Sequence, residues 1–182
     1  LWLREFAANG LLYDLTPIAD DAFMDSIDTQ PDLFDDFARY NGHIYAIPHM
    51  YCNQLLFYRR DLFENYSCRR RFYEQYKTEL KAPQTWAEFN AIARFFTKKH
   101  NPDSETEYGT TLGGRYSSAA LCEYLARFFA YGAAVFDHRG RVTLCSPAAI
   151  KALQNYCESF LYASPESPNH WWHEQVSEFA AG

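Results

Sequence analysis

Apolar residues recur along this chain at two periods, and the changes of period mark its elements. The clearest helical stripe is Trp86, Phe89, Ile92, Ala93 and Phe96, running to about Lys99. Spacings of three and four put these residues on one face. Thr85 opens the stripe with Glu88 three positions on, a capping box in which the Thr side chain accepts from the Glu88 amide and the Glu carboxylate reaches back. A different pattern precedes it. Asn41-Gly42 is the pair favoured by a type I′ hairpin turn, whose two central residues both need positive φ. Ile44 to Ile47 follows as a short strand closed by Pro48, which has no amide to give a ladder. Gln54 to Tyr58 reads as a second extended run. Between the runs lie His49, Met50, Tyr51 and Cys52. A strand, a short polar-aromatic joint and another strand predict a crossing between two layers or two lobes.

The remaining elements follow from the same patterning. Leu1 to Ala8 predicts a helix with Trp2, Leu3 and Phe6 on one face, stopped by Asn9-Gly10. Leu11 to Leu15 is short and apolar. Ala19 to Ile27 predicts a helix with Asp20 and Asp21 in its first turn. Pro31 to Phe37 predicts another, with Leu33, Phe34 and Phe37 inside. Asp61 to Leu80 predicts a charged, aromatic helix broken near Tyr66 to Cys68. Tyr108 to Leu112 reads as a strand, and Gly113 to Ser118 as a loop into a helix over Ala119–Tyr131, ended by Gly132. His138-Arg139-Gly140 predicts a hairpin turn between Ala134–Asp137 and Arg141–Leu144. Ser146-Pro147 starts a helix as N-cap and N1, with Ile150, Leu153, Cys157 and Phe160 as its buried stripe. After a Pro/Ser loop, Trp171 to Ala181 predicts a last helix with Trp172, Val176 and Phe179 on one face. Alternating strands and helices imply an α/β or α+β class.

Composition narrows the function classes. The 182 residues are 48% hydrophobic and 18% aromatic, ample for a core, and the net charge is −6. Nucleic-acid binding by this segment is not expected, because such binders carry a basic surface. Arg69-Arg70-Arg71 sits among Glu64, Glu74 and Glu79 and reads as a solvated helix face. No apolar run approaches the ~20 residues of a membrane span. No signal peptide is present and Leu1 falls in mid-pattern, so the chain reads as a segment of a longer protein. Five cysteines cannot all pair within one chain, and none forms a C-x-x-C pair. Cys122 and Cys157 fall on apolar helix faces. Five thiols fit a reducing interior.

Few residues suggest chemistry. Asp20-Asp21 and Asp35-Asp36 are adjacent, and neighbouring residues on a helix do not face each other. His170 and His173 stand at i, i+3 without a further ligand at a metal-site spacing. No metal, cofactor or catalytic residue is expected. Gly113-Gly114 would let a backbone approach a ligand, with Arg115 adding a donor fork and Tyr116 an aromatic face. The phosphate-loop pattern is absent, and a plain strand-to-helix turn explains the segment equally well.

Phe6 to Pro17, Tyr40 to Pro48, Leu56 to Phe63, Pro83 to Phe89, Gly132 with the Val135 hairpin, and Glu178 to Gly182, taken in that order, resemble segments of the family 1 extracellular solute-binding proteins, the sugar-binding components of ATP-driven importers. Phe6 to Pro17 resembles the family's "G-L-L-x-x-L-T-P" segment, Tyr40 to Pro48 its "Y-x-G-K-x-Y-x-I-P" hairpin, and Leu56 to Phe63 its "L-x-Y-N-x-D-L-F" run. Pro83 to Phe89 resembles "P-x-T-W-x-E-F", Gly132 with the Val135 hairpin "G-G-x-x-F-D", and Glu178 to Gly182 "x-F-x-x-G". Two departures are Arg59 and Arg60 after Tyr58, where the family has Asn, and a longer link from Glu64 to Leu80.

The resemblance implies an α/β, periplasmic-binding-protein-like type II fold of two lobes joined by crossing strands, here the end of lobe 1 plus most of lobe 2. Residues 1–52 would belong to lobe 1, with a hinge at about 49–54, and residues 55–182 to a truncated lobe 2. An incomplete first lobe implies pairing with another chain, or disorder, at residues 1–40. The resemblance places His49, Tyr51 and Cys52 at hinge-side ligand positions and Arg115, Tyr116 and Ser117 on a cleft-facing loop. Trp171 is a further aromatic candidate, with a core role as its alternative. It implies reversible binding of a mono- or oligosaccharide, permease subunits as partners, and a periplasmic or lipid-anchored cell-surface location, with any membrane contact made only through an anchor outside this segment. A sugar-sensing domain of a cytoplasmic regulator is the alternative, and the cysteines favour it. A carbohydrate-active enzyme would need two carboxylates across a cleft, and no pair presents itself.

Overall fold

Helices dominate the computed structural model, which describes residues 2–27, 31–48 and 53–182. Backbone contacts divide it into two units, Leu1–Leu55 and Leu56–Gly182. The joint at 49–52, with His49, Tyr51 and Cys52, lies outside the described residues.

In the first unit, α1 (Leu3–Ala8) stops at Gly10, whose φ of +66° and amide bond to Ala7 O, 3.1 Å, close the last turn. Only Ala7 of α1 is buried; Trp2 and Phe6, expected as its core face, are exposed. Asp20 caps α2 (Asp21–Asp25) by accepting from the Phe23 amide at 2.8 Å. After α3 (Pro31–Ala38), β1 (Arg39–Tyr40) and β2 (His43–Ile44) pair antiparallel, Arg39 opposite Ile44 and Tyr40 opposite His43. The turn residues Asn41 and Gly42 have φ of +49° and +83°, the two positive values of a type I′ turn. The buried cluster is Phe34, Ala38 and Ile44, with Leu15, Ala19, Met24 and Ile27 against it. Phe37 was expected inside but is exposed, because the i, i+4 pair Phe34 and Ala38 sets the buried side of α3. The Leu11–Leu15 run joins no ladder; Leu15 N–H donates to Ile44 O at 2.8 Å, and Thr16 Oγ1 accepts from Ile44 N–H at 2.9 Å.

In the second unit, α4 (Arg60–Glu64) and α5 (Tyr66–Tyr76) are separated by Asn65, whose side chain caps α5 by accepting from the Cys68 amide at 3.1 Å. The break thus falls one residue before the predicted one. Thr85 caps α6 (Trp86–Phe95) with a 3.2 Å bond from Glu88 N–H, but the Glu88 carboxylate takes the amide of Gln84, at 2.7 Å, rather than that of Thr85. Cys68, Phe72, Leu80, Ile92, Phe95 and Phe96 form a core among α4, α5 and α6. Arg69 and Arg70 pair with Glu79 and Glu74 on the surface as expected of a solvated face. Arg71 instead turns inward to Glu105 and the Asp103 carbonyl.

Helices α7 (Ser118–Ala130) and α8 (Pro147–Ser159) pack around Phe128, Ala133, Ala149 and Ala152. Ile150, Leu153 and Cys157, expected as the buried stripe of α8, are exposed; the buried face is Ala149, Ala152 and Tyr156 with the polar Asn155 and Ser159. Two alanines permit a close approach to α7; Ser159 Oγ donates to Asn90 and Asn155 Nδ2 to Trp86 O, while Asn155 Oδ1 is left without a partner. Cys122 is half-buried, not core. The last helix, α9 (Trp172–Ala181), also exposes its expected stripe of Trp172, Val176 and Phe179.

Two expected strands are not formed, and an expected hairpin is much reduced. Gly109 and Thr110 donate to Tyr162 O, a loop carbonyl, so the 108–112 run has no strand to pair with. Residues 53–58 are irregular and exposed. The 134–144 hairpin is reduced to one bridge, Phe136 with Val142, around Gly140 at φ +73°.

Candidate functional site

The loop from Gly113 to Ser117 is held by the segment that leads into α9. Gly114 N–H donates to Ser167 O at 2.9 Å, and Arg115 N–H to His170 O at 3.0 Å. These bonds hold the backbone of Gly114 and Arg115 against the segment that ends at Trp171. A Cβ on Gly114 would stand 2.7 Å from the Phe160 ring and 2.8 Å from Pro168 Cα. The close approach that glycine permits here is therefore to the protein's own 160–168 segment, not the expected approach to a ligand.

Each side chain of the loop has a distinct setting. Ser117 is the N-cap of α7; its Oγ accepts from Ala119 N–H at 3.2 Å and donates to Arg115 O at 3.0 Å. Tyr116 is 103% exposed, with its whole ring face in solvent. Arg115 is also exposed and makes no side-chain hydrogen bond among the described residues. Trp171 is half-buried at the N-terminus of α9, edge-on to Trp172 with ring centroids 5.1 Å apart. Its backbone N–H donates to Glu174 Oε2 at 2.9 Å. The two histidines of this segment serve separate carboxylates: His170 Nδ1 lies 3.4 Å from Glu178 and His173 Nε2 lies 2.9 Å from Glu174. No cluster of metal-ligating side chains occurs among the described residues.

Arg127, to which the sequence drew no attention, anchors the scaffold behind the loop. It is fully buried on α7. One guanidinium nitrogen donates to Glu123 O at 2.8 Å and lies 3.4 Å from the Glu123 carboxylate; the other donates to Ser159 Oγ at 3.3 Å. Its planar face lies 4.0 Å from the Trp86 ring centroid and 5.1 Å from that of Tyr156, a cation–π arrangement in a water-poor setting. Burial pulls its pKa down, and the Glu123 carboxylate opposes that. Ser159 Oγ passes the chain to Asn90 Oδ1 at 2.6 Å, and Asn90 Nδ2 donates to Asn155 O at 3.2 Å. On the other side, Gln175 Nε2 on α9 donates to Glu123 Oε1 at 3.0 Å and to Thr111 O at 3.1 Å. This network ties α6, α7, α8 and α9 together and so sets where Trp171 stands against the 113–117 loop. The sequence signal was an Arg four residues after a Glu inside an apolar helix, which periodicity alone assigns to a surface ion pair.

The arrangement offers one guanidinium, one free phenol face and one indole on an exposed, rigidly based loop. Among the described residues it brings together no nucleophile with a base and no opposed carboxylates. It can hydrogen-bond and stack on a ligand.

Over residues 1–182 the chain matches the family of bacterial extracellular solute-binding proteins. An ABC transporter solute-binding protein from Agrobacterium radiobacter K84, solved in complex with ribitol, superimposes with a TM-score of 0.69 at 23% identity, over 98% of this chain and 41% of that one. Maltose-bound MalE3 from T. maritima superimposes with a TM-score of 0.64 at 22% identity, again over 98% and 41%. The chain thus spans about two-fifths of the length of either structure.

Proposed function

The chain belongs to the bacterial extracellular solute-binding protein family and carries part of the periplasmic-binding-protein-like α/β fold; from that premise we propose that it serves as the receptor of an ABC importer, binding a mono- or oligosaccharide or a polyol without covalent chemistry. The observation that carries this reading is the match over the whole chain, joined to neighbours whose solved forms hold ribitol and maltose. In this reading residues 1–52 close lobe 1, a hinge lies at about 49–54, and residues 55–182 form most of lobe 2. The ligand contacts assigned by this reading are His49, Tyr51 and Cys52 from the hinge segment and Arg115, Tyr116, Ser117 and Trp171 from lobe 2. Aromatic faces pack on the C–H surface of the sugar and polar groups fix its hydroxyls. Ligand then favours the closed form by binding it better than the open one. The receptor works outside the cytoplasm, held there by a lipid anchor or by the periplasm, and hands its ligand to permease subunits.

Calorimetry of the full-length protein against a panel of sugars and polyols tests this. Saturable binding without turnover is the expected result. Absence of binding across the panel at millimolar ligand, or hydrolysis of a glycoside, overturns it. A second reading, a sugar-sensing domain of a cytoplasmic regulator, is favoured by one observation: Cys68, Cys122, Cys145 and Cys157 are all free thiols. Cell fractionation separates the two, since a periplasmic or surface location removes the regulator.

A further inference from the structure

Helices α5, α6 and α8 border a groove of about 460 Å³ that contains none of the residues assigned above to sugar binding. Its volume lies within the roughly 300–1,000 Å³ of small-molecule sites. Two polar atoms on its lining residues are buried and unpartnered. Asn155 is only 7% exposed; its Nδ2 is spent on Trp86 O at 3.2 Å, and its Oδ1 has no partner. Tyr76 Oη is likewise buried without one, on a ring clamped against Phe72 and Phe95. Buried polar atoms are normally satisfied, so an unpaired acceptor and an unpaired hydroxyl on one groove ask for a partner.

The charge of the lining indicates what kind. Arg94 and Lys151 both line the groove, and neither makes an ion pair or a side-chain hydrogen bond among the described residues. The one carboxylate on the lining, Glu158, already accepts from Tyr162 Oη at 2.8 Å. Two free cations therefore stand over one engaged carboxylate, in a protein of net charge −6. A ligand here needs a negative group for Arg94 and Lys151, and hydroxyls that can donate to Asn155 Oδ1 and share a hydrogen bond with Tyr76.

We propose that this groove is a second ligand site, which takes a hydroxylated organic anion of monosaccharide size, a sugar acid or a sugar phosphate. It is independent of the sugar-receptor reading, since it uses none of the same residues.

Amide-resolved NMR titration of the protein tests it, with gluconate and glucose 6-phosphate as the two anion classes and glucose and inorganic phosphate as controls. The expected result is saturable perturbation around residues 90–94 and 151–158 by one or both hydroxylated anions, with 113–117 unmoved. Arg94→Gln and Lys151→Gln, both at exposed positions, weaken that binding about tenfold each. Tyr76→Phe, which keeps the ring packing, weakens it several-fold. Unchanged spectra away from the groove show that each variant is folded. No perturbation at millimolar anion overturns the proposal. So does equal binding of glucose, which removes the anion requirement, or equal binding of inorganic phosphate, which removes the hydroxyl requirement. Perturbation confined to 113–117 also overturns it, by placing the anion at the other site.

Discussion

Two residues show how burial separates function from stability. Tyr116 has its whole ring in solvent, so the fold gains nothing from it, while a stacked ring adds about 0.5–1.5 kcal/mol to a contact. Tyr116→Ala in the full-length protein is expected to weaken sugar binding up to about tenfold with an unchanged urea midpoint; calorimetry and denaturation on the same sample check both halves. Arg127 is the reverse case. Removing one partner of a buried, paired charge costs about 3–5 kcal/mol, and Arg127→Ala would strand Glu123, Ser159 and the Trp86 face together. Arg127→Lys is expected to recover only a minor part of the loss, because an ammonium cannot donate in a planar fork while lying flat on an indole. Urea unfolding of both variants measures this, and a fully stable Arg127→Lys would reduce the site to a simple charge requirement.

Among the elements, the loop before α7 depends on how tightly it is pressed. A Cβ at Gly114 meets Phe160 at 2.7 Å, whereas one at Gly113 meets nothing nearer than Ala119 Cβ at 3.4 Å. Gly114→Ala is expected to cost about 1–3 kcal/mol through overpacking and to weaken sugar binding as the loop shifts off the 160–168 segment. Gly113→Ala should be far milder in thermal denaturation, and equal losses at the two positions would contradict this packing. The N-cap of α6 is a separate contribution: Thr85→Ala loses the bond from Glu88 N–H, expected to lower stability by about 1 kcal/mol.

For the whole molecule, the pH limits of stability come from groups on many elements. The Thr16 hydroxyl and amide, with His43, hold the Asp14 carboxyl below its usual value; the Arg59 fork does the same for Asp61, and the Arg141 amide and side chain for Asp137. A carboxyl whose folded pKa is depressed contributes stability that is complete above its unfolded value, near 3.8, and is lost as pH falls through the folded value. On the alkaline side, burial pushes Tyr156 and Tyr162 up to about 12 from 10. Their neutral forms are favoured in the fold, so that contribution is intact below pH 10 and lost between 10 and about 12. With Glu174 held below its usual 4.5 and burial pushing the Cys68 thiol above 9.0, urea midpoints are expected to hold level between 4.5 and 9.0 and to fall outside both, with Tyr162→Phe flattening part of the alkaline decline.

What the sequence by itself determined is local. The caps read at Thr85 and Ser146, the positive-φ turn at Asn41-Gly42 and the break near the start of α5 need only neighbouring residues to satisfy their amides and sterics, as do the caps that the structure adds at Asp20, Asn65 and Ser117. The ordered segments also carried the family resemblance. What only the tertiary structure decided is which face of each element is covered. The stripes of α1, α8 and α9 were legible as apolar, but Phe6, Leu153 and Val176 are exposed, while Arg127, Asn155 and Ser159 are buried. Burial of a polar side chain depends on partners distant in sequence, as Asn90 and Ser159 are for each other, and no periodicity records them. Strands at 54–58 and 108–112 failed for the same reason: a strand forms only with a neighbour to take its amides, and at Gly109 and Thr110 that partner is the Tyr162 carbonyl. The 113–117 loop was visible as a candidate from its residue types, but its place against the segment that ends at Trp171 was not, because the bonds to Ser167 and His170 that set it span more than fifty positions.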